Sequence, residues 1–112
     1  MMKKLNTFSI DYYSKVEQRQ FEGKFTVRIA SMADKSRIAV RKAQILGGMY
    51  CVRDEDGKPT GRGIDEDTEW VSHMQAYLET VLAQKPDWFK LDEIIDEALI
   101  LKVFAEVMKY EN

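Results

Sequence analysis

Lys24-Phe-Thr-Val-Arg-Ile29, followed at once by Ser31-Met-Ala-Asp34, decides the fold class of this chain. Phe25, Val27 and Ile29 alternate with Lys24, Thr26 and Arg28, so the apolar side chains share one face of a pleated strand. The period then changes. Ser31 and Asp34 are short side chains able to accept from the free N–H groups of a first helical turn, and Ile38, Ala39, Ile45 and Leu46 follow at helical spacing. Gly47-Gly48 supplies a stop. A strand running straight into a capped helix points to an α+β chain.

Upstream, Phe8, Ile10 and Tyr12 alternate with Ser9 and Asp11, which gives a second strand and an antiparallel hairpin over about 7–30. The reading puts its turn near Glu22-Gly23. Downstream, Asp65-Glu-Asp-Thr-Glu69 opens a helix whose acids suit the positive end of the helix dipole. Trp70, Val71, Met74, Tyr77, Leu78, Val81 and Leu82 then recur at i, i+1, i+4, i+7, i+8, i+11 and i+12. Pro86 ends that run, and Asp87 or Asp92 caps a last helix. The expected fold is α+β and helix-dominated: an N-terminal antiparallel β-hairpin followed by three main helices at about 33–47, 66–84 and 91–110. Residues 53–64, with three glycines and Pro59, read as a mobile surface loop.

At 112 residues the chain has the length of a single domain, 1–112, and its 45% hydrophobic content can form a core. A net charge of −2 with both signs interspersed argues against a dedicated nucleic-acid binder. Cys51 is the sole cysteine, which excludes an internal disulfide and a cysteine-rich zinc cluster and suits a reducing, cytoplasmic setting. Asn6, Thr7, Ser9 and Asp11 interrupt any apolar segment behind Lys3-Lys4, so no signal peptide is expected. No run approaches the roughly 18 apolar residues of a membrane span.

Marks of chemistry are sparse. His73 is the only histidine and has no nucleophile at a suitable spacing, so an ordinary surface role is the simpler reading. Asp54-Glu-Asp-Gly57 opens like a calcium loop, but Gly63 stands where the bidentate glutamate belongs. Gly57-Lys-Pro-Thr-Gly-Arg-Gly63 lacks phosphate-loop spacing. Neither a cofactor nor a metal is expected.

Two patterns speak instead for protein contacts. In the last helix Ile94, Ala98, Leu101, Ala105 and Met108 form an apolar seam. Ile95 and Leu99 widen it on one side, and Ile100, Val103, Phe104 and Val107 on the other. That is more apolar surface than one small domain covers, so part of it is expected to meet another chain. The partner-contact candidates are Ile100, Phe104, Val107 and Met108, with Trp88 and Phe89 at the end of the groove. Separately, Lys35, Arg37, Arg41 and Lys42 oppose Asp65, Asp67 and their acidic neighbours in sign, a basis for head-to-tail pairing of identical copies.

Taken together, Phe21-Glu-Gly-Lys-Phe-Thr-Val27, the helix stop at Gly47-Gly48, the amphipathic helix Met74 to Leu82, the junction Lys85-Pro-Asp-Trp-Phe89 and the segment Asp92 to Glu106 resemble the small tail assembly chaperones of long-tailed bacteriophages and prophages. The resemblance spans most of the chain from about residue 20. It implies a non-enzymatic protein that shields the tape-measure protein, helps recruit tail-tube subunits, is mainly helical and forms homo-oligomers in the host cytoplasm. Some members of that family are also made in a longer, frameshifted form. Other phage tail or neck components, and a small nucleic-acid-binding regulator using Lys35 to Lys42, are the alternative readings.

Overall fold

A computed structural model describes residues 5–111 and has the expected α+β composition. Its elements are β1 (Leu5–Ser14), β2 (Arg19–Arg28), α1 (Met32–Ile45), β3 (Cys51–Arg53), β4 (Pro59–Gly63), α2 (Glu66–Val81), β5 (Leu82–Gln84) and α3 (Glu97–Met108). The chain forms two compact units. One runs through Ala30 and resumes at Val81; the other is Ser31–Thr80.

In the first unit β1 and β2 form a regular antiparallel hairpin, and β5 adds to the free edge of β2. The turn lies at residues 15–18, where Gln18 takes a positive φ of 53°. Gly23 is therefore a mid-strand residue opposite Ile10, not a turn glycine. Its role is steric. A Cβ at Gly23 would overlap the Pro86 ring, and Trp88 sits beside it. The missing side chain opens a slot between Phe21 and Phe25 on one sheet face, and the Pro86-Asp87-Trp88 segment fills it. Trp88 lies 4.9 Å from Phe21 and 5.8 Å from Phe25, centroid to centroid, and its Nε1–H donates to the Glu22 carbonyl at 2.9 Å.

The same face carries the apolar core of this unit. Phe8 stacks on its cross-strand partner Phe25 at 5.2 Å, and Phe89 meets Phe25 edge-on at 5.1 Å. The α3 helix packs on β1, burying Leu99, Val103, Phe104 and Val107. That helix is shorter than expected. Residues 91–96 are irregular, and the N-cap is Asp96, whose carboxylate accepts from the Ala98 N–H. Asp96 is fixed from outside the helix by Ser14 and Tyr12, an interaction between distant segments that no local pattern announces.

In the second unit α1 begins as anticipated, with both cap residues acting together. Ser31 accepts from the Asp34 N–H and Asp34 accepts from the Ser31 N–H, a capping box. At the other end Gly48 N–H reaches the Ala43 carbonyl and Gly47 N–H the Gln44 carbonyl. Both glycines have positive φ, the geometry of a Schellman stop.

Two expectations fail in the segments that follow. Residues 53–64, expected as a loop, carry secondary structure: Cys51–Arg53 and Pro59–Gly63 pair as a short antiparallel ribbon. Its turn is organised by Asp54, which accepts from the Asp56 and Lys58 N–H groups at 2.9 Å each. A strand of Pro-Thr-Gly-Arg-Gly, exposed throughout, has no apolar alternation to betray it. The helix expected at 66–84 ends at Val81, because Leu82–Gln84 leave it to pair with β2. Among the described residues, no helix is long and apolar enough to cross a membrane.

Candidate interaction surfaces

The residues proposed from sequence as partner contacts separate into two groups. Phe89, Phe104 and Val107 are core: Phe104 is 7% exposed, and the other two less. They hold α3 and the 86–89 segment to the sheet and cannot meet another protein in the folded chain. Trp88, Ile100 and Met108 are half-buried at the margins of the same packing. The correction has a geometric cause. Leu99, expected on one flank of the seam, and Val103, Phe104 and Val107, expected on the other, together form the face of α3 that packs inward; the seam itself, at Ala98, Leu101 and Ala105, faces outward. Leu101 is 41% exposed and Ile95, just before the cap, 75%.

The charge pairs proposed between copies are largely engaged within the chain. Arg37 bonds Asp34 at 2.9 Å and Arg41 bonds Glu79 at 2.8 Å. Asp65 accepts from the Thr68 N–H at 2.7 Å at the start of α2, which holds its carboxyl below the usual range. Lys35 is exposed, and Asp67 lines a cleft described next. Arginines already neutralised by their own chain leave little unpaired charge to drive association.

That cleft, of about 570 Å³, lies in the second unit among Lys42, Arg53, Glu66, Asp67, Glu69, Trp70 and His73. Glu69 organises it. One carboxylate oxygen accepts from the Cys51 N–H at 2.8 Å, while the other lies 3.6 Å from Arg53 and 4.0 Å from Lys42. The backbone hydrogen bond first, and the two cations after it, keep the Glu69 pKa low. Glu69 thereby ties β3, α1 and α2 together. Trp70 stacks on His73 with 6.0 Å between ring centres, and His73 leans on Tyr77 at a similar distance. Partial burial, and then Lys42, depress the His73 pKa, so its imidazole is neutral at physiological pH. Cys51 is buried, as a structural thiol would be.

Beside the cleft, and sharing Lys42 and Glu69 with it, runs a shallow groove of about 270 Å³. Its floor is Ala39, Ala43 and Leu46 of α1, and its wall is Met49 and Tyr50, the latter 67% exposed. Sequence reasoning missed this surface. The Gly47-Gly48 stop announced where α1 ends, but not that the turn after it would raise Met49 and Tyr50 beside the small residues of the same helix. The chain matches no family model, no curated protein and no solved structure.

Proposed function

We propose that this chain is a non-enzymatic phage or prophage tail assembly chaperone, acting in the host cytoplasm and holding an amphipathic helix of the tape-measure protein. The observation that carries the reading is the apolar groove of Ala39, Ala43, Leu46, Met49 and Tyr50, rimmed by Lys42 and Glu69. Small residues on the floor admit a helix closely, a methionine and an aromatic adapt to its apolar stripe, and the charged rim meets its polar edges. A long helical client with bare apolar stripes aggregates unless it is covered, and a shallow, adaptable groove can serve many stripes of similar chemistry. Recruitment of tail-tube subunits and self-association belong to the same proposal.

Co-expression tests it. With the tape-measure protein of the same genome, the wild-type chain should keep the client soluble and co-purify with it. The double variant M49S/Y50A should lose most of that effect without loss of its own melting temperature. Equal solubilisation by both proteins would refute the groove. Retention on DNA that falls steeply with salt would favour the nucleic-acid reading instead.

A further inference from the structure

The outward face of α3 carries a pattern that the client groove does not use. Ala98, Leu101, Ala105 and Met108 follow one another at spacings of three, four and three, which are the a and d positions of two heptads. Ala98, Leu101 and Ala105 are exposed, and Met108 is half-buried. The inward flank is already occupied by the sheet, so this face is a second, separate seam on the same helix.

Charges flank the seam in a particular order. Glu97 precedes the first a position and so takes g; Lys102 follows the first d position and takes e. Both are exposed, and among the described residues neither makes an ion pair, whereas Lys109 is held by Glu106 at 2.8 Å. In a parallel pair of helices a g residue lies beside the e residue five positions further along the partner. Glu97 of each copy then faces Lys102 of the other, twice, about a two-fold axis. An antiparallel pair places like flanks side by side and sets Lys102 against Lys102. The unpaired charges therefore select both the occupant and its direction.

We infer that two copies of this chain pair through α3, in parallel, along Ala98, Leu101, Ala105 and Met108, with reciprocal Glu97–Lys102 contacts. Alanine at the a positions lets the helices approach closely, and leucine at d is the residue of parallel two-stranded seams. A helix of 12 residues offers a small interface, so the pairing is weak and concentration-dependent. The inference names the surface for the self-association in the proposed function, and is independent of the client.

Sedimentation velocity over a concentration series tests it on the full chain. Wild type should pass from monomer to dimer as concentration rises, and L101E should stay monomeric with an unchanged circular dichroism spectrum. Each single variant, E97K or K102E, should weaken dimerisation about tenfold, and the double swap E97K/K102E should restore it. In a C51A background, A105C should oxidise to a disulfide-linked dimer because parallel pairing sets the residue against its own copy. A dimer that survives L101E, or a charge swap that restores nothing, overturns the inference. A wild-type chain that stays monomeric overturns it too, yet leaves client solubilisation standing. Loss of client binding with an intact dimer removes the groove and leaves the pairing.

Discussion

The Ser14 hydroxyl donates to the Asp96 carboxylate at 2.6 Å, joining the end of the first strand to the first turn of the last helix across 82 residues of chain. Tyr12 donates to the same oxygen at 2.9 Å, and the other oxygen caps the helix through the Ala98 N–H. One carboxylate thus decides where α3 starts and where it lies on the hairpin. These hydrogen bonds, that from Ser14 foremost, hold its pKa below the usual aspartate value. They also push the Tyr12 phenol up.

The pH dependence follows from the direction of that shift. A carboxylate with a lowered folded-state pKa contributes stability that is fully present above its unfolded value, about 3.9. The contribution is lost as pH falls through the folded value. Asp96→Asn should melt at a lower temperature than wild type at pH 7. The gap should narrow below about pH 4, as thermal melts at a series of pH values would record. Ser14→Ala, which strips a buried donor from the pair, should cost about 1–3 kcal/mol in urea denaturation.

Gly23 makes a steric prediction. Gly23→Ala places a methyl group where the Pro86 ring lies, so the 86–88 segment must lift from the sheet. We expect a loss of about 1–3 kcal/mol, the range for overpacking a filled site. In a Trp70→Phe background the remaining Trp88 emission should shift to the red as the indole leaves its place beside Phe21 and Phe25. An unchanged spectrum and melting curve would show that the slot is not needed.

Inward and outward residues of the last helix should respond oppositely to truncation. Phe104→Ala should cost about 3–5 kcal/mol, as large-to-small changes in cores do. Lys102→Ala, at an exposed site on the outward side of the same helix, should stay within about 0.5 kcal/mol. Chemical denaturation of the two variants side by side checks the assignment of flanks. Similar losses for both would mean the helix is rotated relative to the arrangement described.

His73 should titrate below its model-peptide value, visible in the chemical shift of its ring protons. Partial burial, more than the neighbouring Lys42, causes this, so Lys42→Ala should raise the value only slightly. Since folding here favours the neutral ring, its contribution to stability is present above the unfolded pKa, about 6.5, and is lost as pH falls below it.

Much of the local structure is legible along the chain. The alternation of Phe8, Ile10 and Tyr12, and of Phe25 and Val27, signals the two strands of the hairpin though not its turn, and the Ser31–Asp34 box with Gly47-Gly48 brackets α1 to within a residue or two. These signals are short-range: period two, a capping side chain, a glycine at positive φ. The interaction surfaces are another matter. The seam of α3 could be recognised as apolar on more than one side, but Phe104 and Leu101 carry equally apolar labels, and only packing on β1 separates a core residue from an exposed one.

Sequence alone determined the α+β class, the presence of an N-terminal hairpin and the caps of α1, because backbone hydrogen bonding and side-chain periodicity act within a few residues; the register of the hairpin, with its turn at residues 15–18, it did not. The tertiary structure decided three things: that Gly23 is a slot rather than a turn, that Asp96 and not Asp87 or Asp92 starts the last helix, and which flank of that helix faces outward. Each depends on a partner at least sixty residues away, such as Pro86 for Gly23, Ser14 for Asp96 and the β1 face for Phe104. Contacts at that separation are selected by the packing of the whole core, which no local stretch of chain encodes.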